Sequence, residues 1–143
     1  MTRTLPSVLL VDDDDAHRCL LSRVLRKGGK LENVVEQRSL AAAREFLGGD
    51  RSETNPSIII VDLNLKDGRG TELLRFVRGT AALASVPVIV LSTSSLESDI
   101  QECFALGATD FITKTENLTE LGKLLHRAIE QARNPATSDD ESH

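Results

Sequence analysis

The chain has 143 residues, of which 40% are hydrophobic and 27% are charged, a composition typical of one globular domain with its own core. Its formal net charge of −5 and the lack of a clustered basic face argue against nucleic-acid binding. No apolar run is long enough for a signal peptide or a membrane span, so we expect a cytoplasmic protein with no membrane partner.

The two cysteines, Cys19 and Cys103, lack the spacing of metal ligands. Both fall in segments that we predict to be helical. We therefore expect two buried, reduced thiols rather than a disulfide or a metal site, which fits the same cytoplasmic compartment.

Short apolar runs alternate with helical segments through the first half of the chain. The elements predicted there are, in order, a strand, a helix, a strand and a helix, at Val8–Val11, Ala16–Arg26, Asn33–Gln37 and Leu40–Leu47. Gly28 and Gly29 end the first helix, and Ser39 can cap the second. Four consecutive aspartates, Asp12 to Asp15, directly follow the first strand.

The second half begins with the most apolar run of the chain, Ile58 to Val61, which ends in Asp62. Four β-branched residues before a glycine-rich turn predict a strand that is buried on both faces. The pair Ser94 and Glu97 has the spacing of a helix-capping box. Helices and strands then alternate through five further predicted elements, at Thr71–Arg78, Val88–Leu91, Ser94–Leu106, Asp110–Thr113 and Asn117–Ala132.

Five strands that alternate with helices, and are too apolar to be half-exposed, predict one α/β domain with a parallel sheet and helices on both faces. We predict the strand order 2-1-3-4-5, as in flavodoxin-like folds. The domain is expected to span residues 1–133. Residues 134–143 are small, polar and acidic, and are expected to form a disordered tail.

Polar residues stand at the carboxyl ends of four predicted strands: Asp12 and Asp13, then Asp62, Ser92 and Lys114. In the predicted order the first and third strands are neighbours, so the three aspartates converge where open α/β sheets build their sites. Such close carboxylates repel one another unless a cation lies among them, and an all-oxygen set suits Mg²⁺. Asp62 could act as a nucleophile that forms an aspartyl-phosphate, with Lys114 and Ser92 near the phosphoryl oxygens.

This ordered set resembles the receiver domains of two-component response regulators: two aspartates, one aspartate, Ser-Thr and lysine, each at its own strand end. The resemblance covers the chain from Val8 to about Arg133. It implies Mg²⁺ as the cofactor, held by the side chains of Asp13 and Asp62 and by the backbone carbonyl of Asn64. Asp12 would help from nearby, partly through water.

The resemblance also implies that Asp62 accepts a phosphoryl group from a sensor histidine kinase or a histidine phosphotransfer protein. Lys114 and Ser92 would hold that group, and Thr93 and Ser94 would neighbour it. Ser92 and Phe111 would form the switch, although Phe111 could equally be an ordinary core residue.

A stand-alone receiver of this kind transfers the phosphoryl group to its own aspartate and loses it slowly, without the turnover of an ordinary enzyme. Its effect would pass through the face formed by the fourth helix, the fifth strand and the last helix, by partner binding or homodimerisation. The LSTS segment at residues 91–94, the lysine-threonine pair after the fifth strand and the long loop before Pro87 resemble single-domain receivers that serve phytochrome-type sensor kinases.

Two residues depart from the family pattern, since Lys66 and Thr115 stand where the family usually has proline. A cis bond without proline costs about 3–4 kcal/mol, so we expect a trans bond between Lys114 and Thr115. The Asp67-Gly68 pair predicts an ordinary turn. These departures leave open an alternative function, a receiver-like interaction module that binds its partner regardless of phosphorylation.

Other classes of protein fit the sequence less well. A phosphatase with an aspartate nucleophile needs an acidic residue two positions later, where this chain has Asn64. A dinucleotide-binding domain needs glycines in the first βα turn, where this chain has four aspartates. The three histidines, His17, His126 and His143, have no ligand spacing, and we expect them on the surface or on helix faces.

Overall fold

Strands and helices alternate along the chain in the computed structural model, which describes residues 5–49 and 55–133. The predicted tail at residues 134–143 lies outside this range. The strands are β1 (Ser7–Val11), β2 (Asn33–Gln37), β3 (Ile58–Asp62), β4 (Asn64–Leu65), β5 (Gly68–Arg69), β6 (Val88–Ser92) and β7 (Asp110–Thr113). The helices are α1 (Asp15–Arg26), α2 (Leu40–Gly48), α3 (Gly70–Gly79), α4 (Glu97–Ala105) and α5 (Leu118–Arg133).

Five of the strands form one parallel sheet in the order β2-β1-β3-β6-β7. Counted within this sheet alone, the order is 2-1-3-4-5, so the predicted flavodoxin-like topology is confirmed. The short strands β4 and β5 form a separate antiparallel hairpin directly after β3. The sequence predicts only a turn at this position.

The sheet is buried on both faces because its central strand is apolar on both. Ile59 and Val61 pack into a core with α2, α3 and Cys103 of α4, whereas Ile58 and Ile60 pack into a second core with α1 and α5. All four side chains have no exposed surface. Successive strand residues point to opposite faces, so an uninterrupted apolar run can fill two cores at once.

Of the two helix caps expected, at Ser39 and at Ser94, the first is present, and Asp14 provides a further cap that was not expected. Asp14 accepts a hydrogen bond from the His17 N–H (3.0 Å) at the start of α1, and Ser39 accepts one from the Ala42 N–H (3.0 Å) at the start of α2. The predicted capping box at Ser94 is wrong. Its hydroxyl oxygen accepts from the Leu96 N–H (3.2 Å) in the loop before α4, which begins at Glu97.

The two cysteines differ in burial. Cys103 is buried as predicted, but Cys19 is exposed, and the prediction for it was wrong. Helix α1 turns Leu21 and Leu25 toward the sheet, and Cys19 lies outside that buried stripe. The peptide bond after Lys114 is trans, as expected. Among the described helices, none combines the length and the apolar character needed to cross a bilayer.

Candidate functional site

Three carboxylates meet at the carboxyl edge of the sheet. Each of Asp12, Asp13 and Asp62 offers an oxygen within 4.8 Å of those of the other two. Strands β1 and β3 are parallel neighbours with Val11 opposite Val61, so the residues that follow are brought side by side. Asp12 has no exposed surface and Asp62 is 5% exposed, whereas Asp13 is partly exposed. The predicted convergence of the three aspartates is therefore present.

Lys114 reaches this cluster from the end of β7. Its Nζ lies 2.7 Å from Oδ2 of Asp62 and 3.7 Å from Oδ2 of Asp12. The Lys114 N–H donates to the Ser92 carbonyl (2.7 Å), which continues the pairing of β6 with β7 and directs the residue toward the cluster. One ammonium therefore faces two buried carboxylates and binds mainly one of them.

The environment of Asp62 opposes its ionisation. Burial raises the pKa of Asp62 to about 7, while the hydrogen bond and charge of Lys114 act to lower it and the charge of Asp12 acts to raise it further. Its Oδ1 is buried and has no hydrogen-bond partner within the described part of the chain. A buried acceptor without a partner is costly, and such groups mark places where an ion or a ligand is expected.

Within the described residues, both carboxylate oxygens of Asp12 have a hydrogen-bond partner, unlike those of Asp62. Oδ1 of Asp12 accepts from the Asp14 N–H (2.9 Å), and its Oδ2 lies 2.6 Å from Nδ1 of His17. Burial acts to raise the pKa of Asp12, but these two hydrogen bonds and the charge of Lys114 outweigh it, so that the pKa lies below its usual range. His17 lies on a helix face and is partly exposed, but no pattern in the sequence indicates that its ring contacts the carboxylate cluster.

The cluster fits a hard divalent cation. Its potential ligands are all oxygens, and they repel one another without a cation. Oδ1 of Asp62 also lacks a partner within residues 5–49 and 55–133. Asp13 lies at the rim, where its Oδ2 accepts from the backbone N–H of Lys66 (2.6 Å). Asn64 begins the hairpin two residues after Asp62, and Leu63 between them is fully buried.

The hairpin after Asp62 is held to its surroundings by hydrogen bonds and by close packing. Asp67 accepts hydrogen bonds from the Leu40 N–H and the Ala41 N–H, both at 3.1 Å, so it caps α2 from a distant part of the sequence. These backbone hydrogen bonds hold the pKa of Asp67 below its usual value. Gly70 is required by packing, because a Cβ there would collide with the carbonyl oxygen of Asp62. The expectation of an ordinary turn at Asp67 missed this role.

Arg69 joins the same hairpin to α4. Its guanidinium donates to Oδ1 of Asn64 (3.2 Å), to Oδ1 of Asp99 (3.2 Å) and to Oε1 of Glu102 (3.0 Å). The acidic partners lie 30 and 33 positions away, so no local pattern in the sequence could have indicated this link. The segment that carries Asn64 is thereby coupled to helix α4.

The residues expected to form a switch lie on neighbouring strands. Ser92 is 3% exposed, and its hydroxyl oxygen accepts from the Ser94 N–H (3.0 Å). Thr93 between them is exposed. Phe111 is half-buried and packs against the core shared by α2 and α3.

Fold, strand order and the acidic cluster at the carboxyl edge define a response regulator receiver domain. The sequence model of that family, described as "Response regulator receiver domain", matches residues 8–126, and the chain belongs to this family. The chain is therefore a phosphorelay response regulator by family. The predicted resemblance is confirmed.

Individual relatives support the same assignment. The two-component response regulator ORR5 of rice (Oryza sativa) is 33% identical over 124 residues, which cover 87% of this chain and 89% of the relative. The structure of the phosphorylated cyanobacterial phytochrome response regulator RcpA aligns with a TM-score of 0.77 at 31% identity, over 90% of this chain and 93% of that one. The Mn²⁺-bound response regulator Rcp1 aligns with a TM-score of 0.73 at 32% identity, over 88% and 92%.

Proposed function

We propose that Asp62 is the phosphoryl acceptor of this receiver, with a histidine kinase or a histidine phosphotransfer protein as the donor. The observation that carries the proposal is the state of the Asp62 carboxylate. One of its oxygens is buried without a partner in the part of the chain that the structure describes, and the other is paired with Lys114 at 2.7 Å. A carboxylate that is shielded from water but faced by a cation can act as a nucleophile toward phosphorus.

In the transfer, a carboxylate oxygen of Asp62 forms a bond to phosphorus while the bond from phosphorus to the donor imidazole nitrogen breaks. The electron pair of that bond stays on the nitrogen. The ammonium of Lys114 would neutralise the phosphoryl oxygens, and the Ser92 hydroxyl, whose oxygen accepts from Ser94, has its own hydrogen left to donate.

A divalent cation completes the proposal, and we assign Mg²⁺ to this role. Asp13, Asp62 and the backbone carbonyl of Asn64 would hold it, with Asp12 close by. When bound, the ion supplies positive charge that offsets the carboxylates and the phosphoryl oxygens. The Mn²⁺ of the Rcp1 relative supports a divalent ion in this family.

We further propose that phosphorylation acts on the face made by α4, β7 and α5. Ser92 and Phe111 would move toward the phosphoryl group and shift a two-state equilibrium of this face. Helix α4 buries only Cys103, whereas Leu96 before it and Phe104 on it are 63% and 46% exposed. An exposed apolar surface on a weakly buried helix suits binding to a partner or to a second copy of the chain.

The relatives also suggest the origin of the signal. The RcpA relative is described as a phytochrome response regulator, which supports a phytochrome-type sensor kinase as the partner of this chain.

The test is intact mass after incubation with acetyl phosphate, with and without Mg²⁺, for the wild type, Asp62→Asn and Asp15→Asn. We expect one Mg²⁺-dependent phosphoryl group on the wild type and none on Asp62→Asn. Asp15 lies in the same aspartate run with a side chain that is 71% exposed, so Asp15→Asn should behave as the wild type. Folded wild-type protein that stays unmodified with acetyl phosphate and with a histidine kinase would refute the acceptor role and favour the interaction module.

A further inference from the structure

The histidine at the start of α1 contacts a carboxylate that Lys114 also approaches. Nδ1 of His17 lies 2.6 Å from Oδ2 of Asp12, and Nζ of Lys114 lies 3.7 Å from the same oxygen. Lys114 is closer, at 2.7 Å, to Oδ2 of Asp62. Each donor therefore pairs mainly with one carboxylate, His17 with Asp12 and Lys114 with Asp62.

We propose that His17 is a positioning residue for the phosphoryl transfer. Its imidazole donates a hydrogen bond to the carboxylate of Asp12, and the ammonium of Lys114 therefore stays paired with the carboxylate of Asp62. The inference rests on the function proposed above and adds a residue to it. Among the described residues, the histidine ring contacts Asp12 and not the acceptor carboxylate, and it acts through Lys114.

Burial of Asp12 makes this pairing necessary. The residue has no exposed surface, so its oxygens depend on donors from the protein rather than from water. Oδ1 has the Asp14 N–H at 2.9 Å, and Oδ2 has His17. Without the imidazole, the nearest cationic side chain to Oδ2 among the described residues is the ammonium of Lys114, on a flexible four-carbon stem that can move toward it.

The imidazole is held in place by the first turn of α1. Asp14 caps the helix at the His17 N–H (3.0 Å), and Arg18 donates to the backbone carbonyl of Asp12 (2.7 Å). The His17 side chain is only 22% exposed. Because an ionised carboxylate can only accept, the short contact assigns the proton to Nδ1 of the ring.

A displaced lysine should be visible in the rate of transfer. A misplacement of about 1 Å at a reacting group can cost on the order of 100-fold in rate. For His17→Ala we expect roughly 10-fold slower phosphorylation by acetyl phosphate at saturating donor and Mg²⁺. The donor concentration for half-maximal rate should change little, because the proposal gives His17 no contact with the donor.

Two further variants separate positioning from a general structural defect. His17→Asn keeps an N–H donor near the position of Nδ1 and should recover most of the rate. In a Lys114→Ala background, His17→Ala should have no further effect, since the lysine through which it acts is gone. Equal rates for the wild type and His17→Ala, no recovery with Asn, or the same 10-fold loss in both backgrounds would each overturn the inference.

A measurement on the metal-free protein makes the test independent of turnover. The Nζ resonance of Lys114, observed by ¹⁵N NMR, should shift in His17→Ala and return toward its wild-type position in His17→Asn. A wild type that takes up no phosphoryl group would refute the proposed function, and the Lys114 resonance would still decide whether His17 places the lysine. An unshifted resonance in His17→Ala would refute the placement alone.

Discussion

The middle of the parallel sheet and its carboxyl edge are built from the same strands with opposite chemistry. In β3, Ile58 to Val61 are aliphatic and fully buried, and the next residue, Asp62, is a carboxylate with 5% exposure. The apolar run fills two cores, whereas one oxygen of Asp62 has no partner among the described residues. Within a single strand, the chain thus changes from side chains that stabilise the fold to a carboxylate whose charged form is destabilised by burial in the fold.

The difference shows that the site depends on the stability of the sheet beneath it. Burial of aliphatic side chains contributes about 25 cal/mol per Å² of apolar surface, independent of pH. Burial of a carboxylate instead opposes its charged form, as the raised pKa of Asp62 indicates. Each of the following predictions tests one side of this contrast, and they are ordered from the largest expected effect to the smallest.

The middle of the sheet should be the most sensitive to truncation. Ile60→Ala removes a fully buried side chain, and we expect a loss of about 2–5 kcal/mol in the free energy of unfolding, with little dependence on pH or Mg²⁺. Urea denaturation followed by circular dichroism would measure it. Leu96→Ala is the control, because this leucine is 63% exposed and should change the free energy by no more than about 0.5 kcal/mol. Similar losses for the two variants would contradict the contrast.

At the carboxyl edge of metal-free protein, by contrast, removal of the buried carboxylate should raise the free energy of unfolding. An aspartate in the unfolded chain loses its proton near pH 4, whereas Asp62 in the folded protein keeps it up to about pH 7. The contribution of Asp62 to the free energy of unfolding is therefore complete below pH 4, is lost between about pH 4 and pH 7, and does not return above pH 7. The free energy of unfolding of Asp62→Asn should exceed that of the wild type by about 1–3 kcal/mol at pH 8 and by little at pH 4.

Urea denaturation of the two proteins across this pH range, in the presence of a chelator, would measure that difference. Mg²⁺ should remove it at pH 8, because the ion binds the ionised folded site of the wild type and stabilises it by mass action. A difference that is already complete at pH 4 would show that it does not come from the titration of Asp62.

The smallest effect on stability is expected for the link from the edge to α4. Arg69 is 41% exposed, so loss of its ion pairs with Asp99 and Glu102 in Arg69→Ala should cost about 0–1 kcal/mol in urea. Local opening of α4 should nevertheless increase, which amide hydrogen exchange of residues 97–105 would detect. Arg75→Ala on the exposed side of α3 is the matched control. Equal exchange in the two variants would show that Arg69 does not hold α4.

The sequence by itself determined the alternation of strands and helices, the strand order and the residues at the carboxyl edge. A short β-branched run such as Ile58 to Val61, followed by a glycine-rich turn, indicates a buried strand, and the residue after such a run stands at its carboxyl end. Asp12, Asp13, Asp62 and Lys114 could be brought to one edge on paper, because parallel strands all end at the same side of a sheet.

Only the tertiary structure decided which side chains contact one another around that edge. The contact of His17 with Asp12, the capping of α2 by Asp67 and the link from Arg69 to α4 depend on the rotation of each helix and the path of a short hairpin. The exposure of Cys19 depends on helix rotation in the same way. Such contacts join residues that are distant in sequence, or are set by side-chain directions, and hydrophobic periodicity carries no information about either.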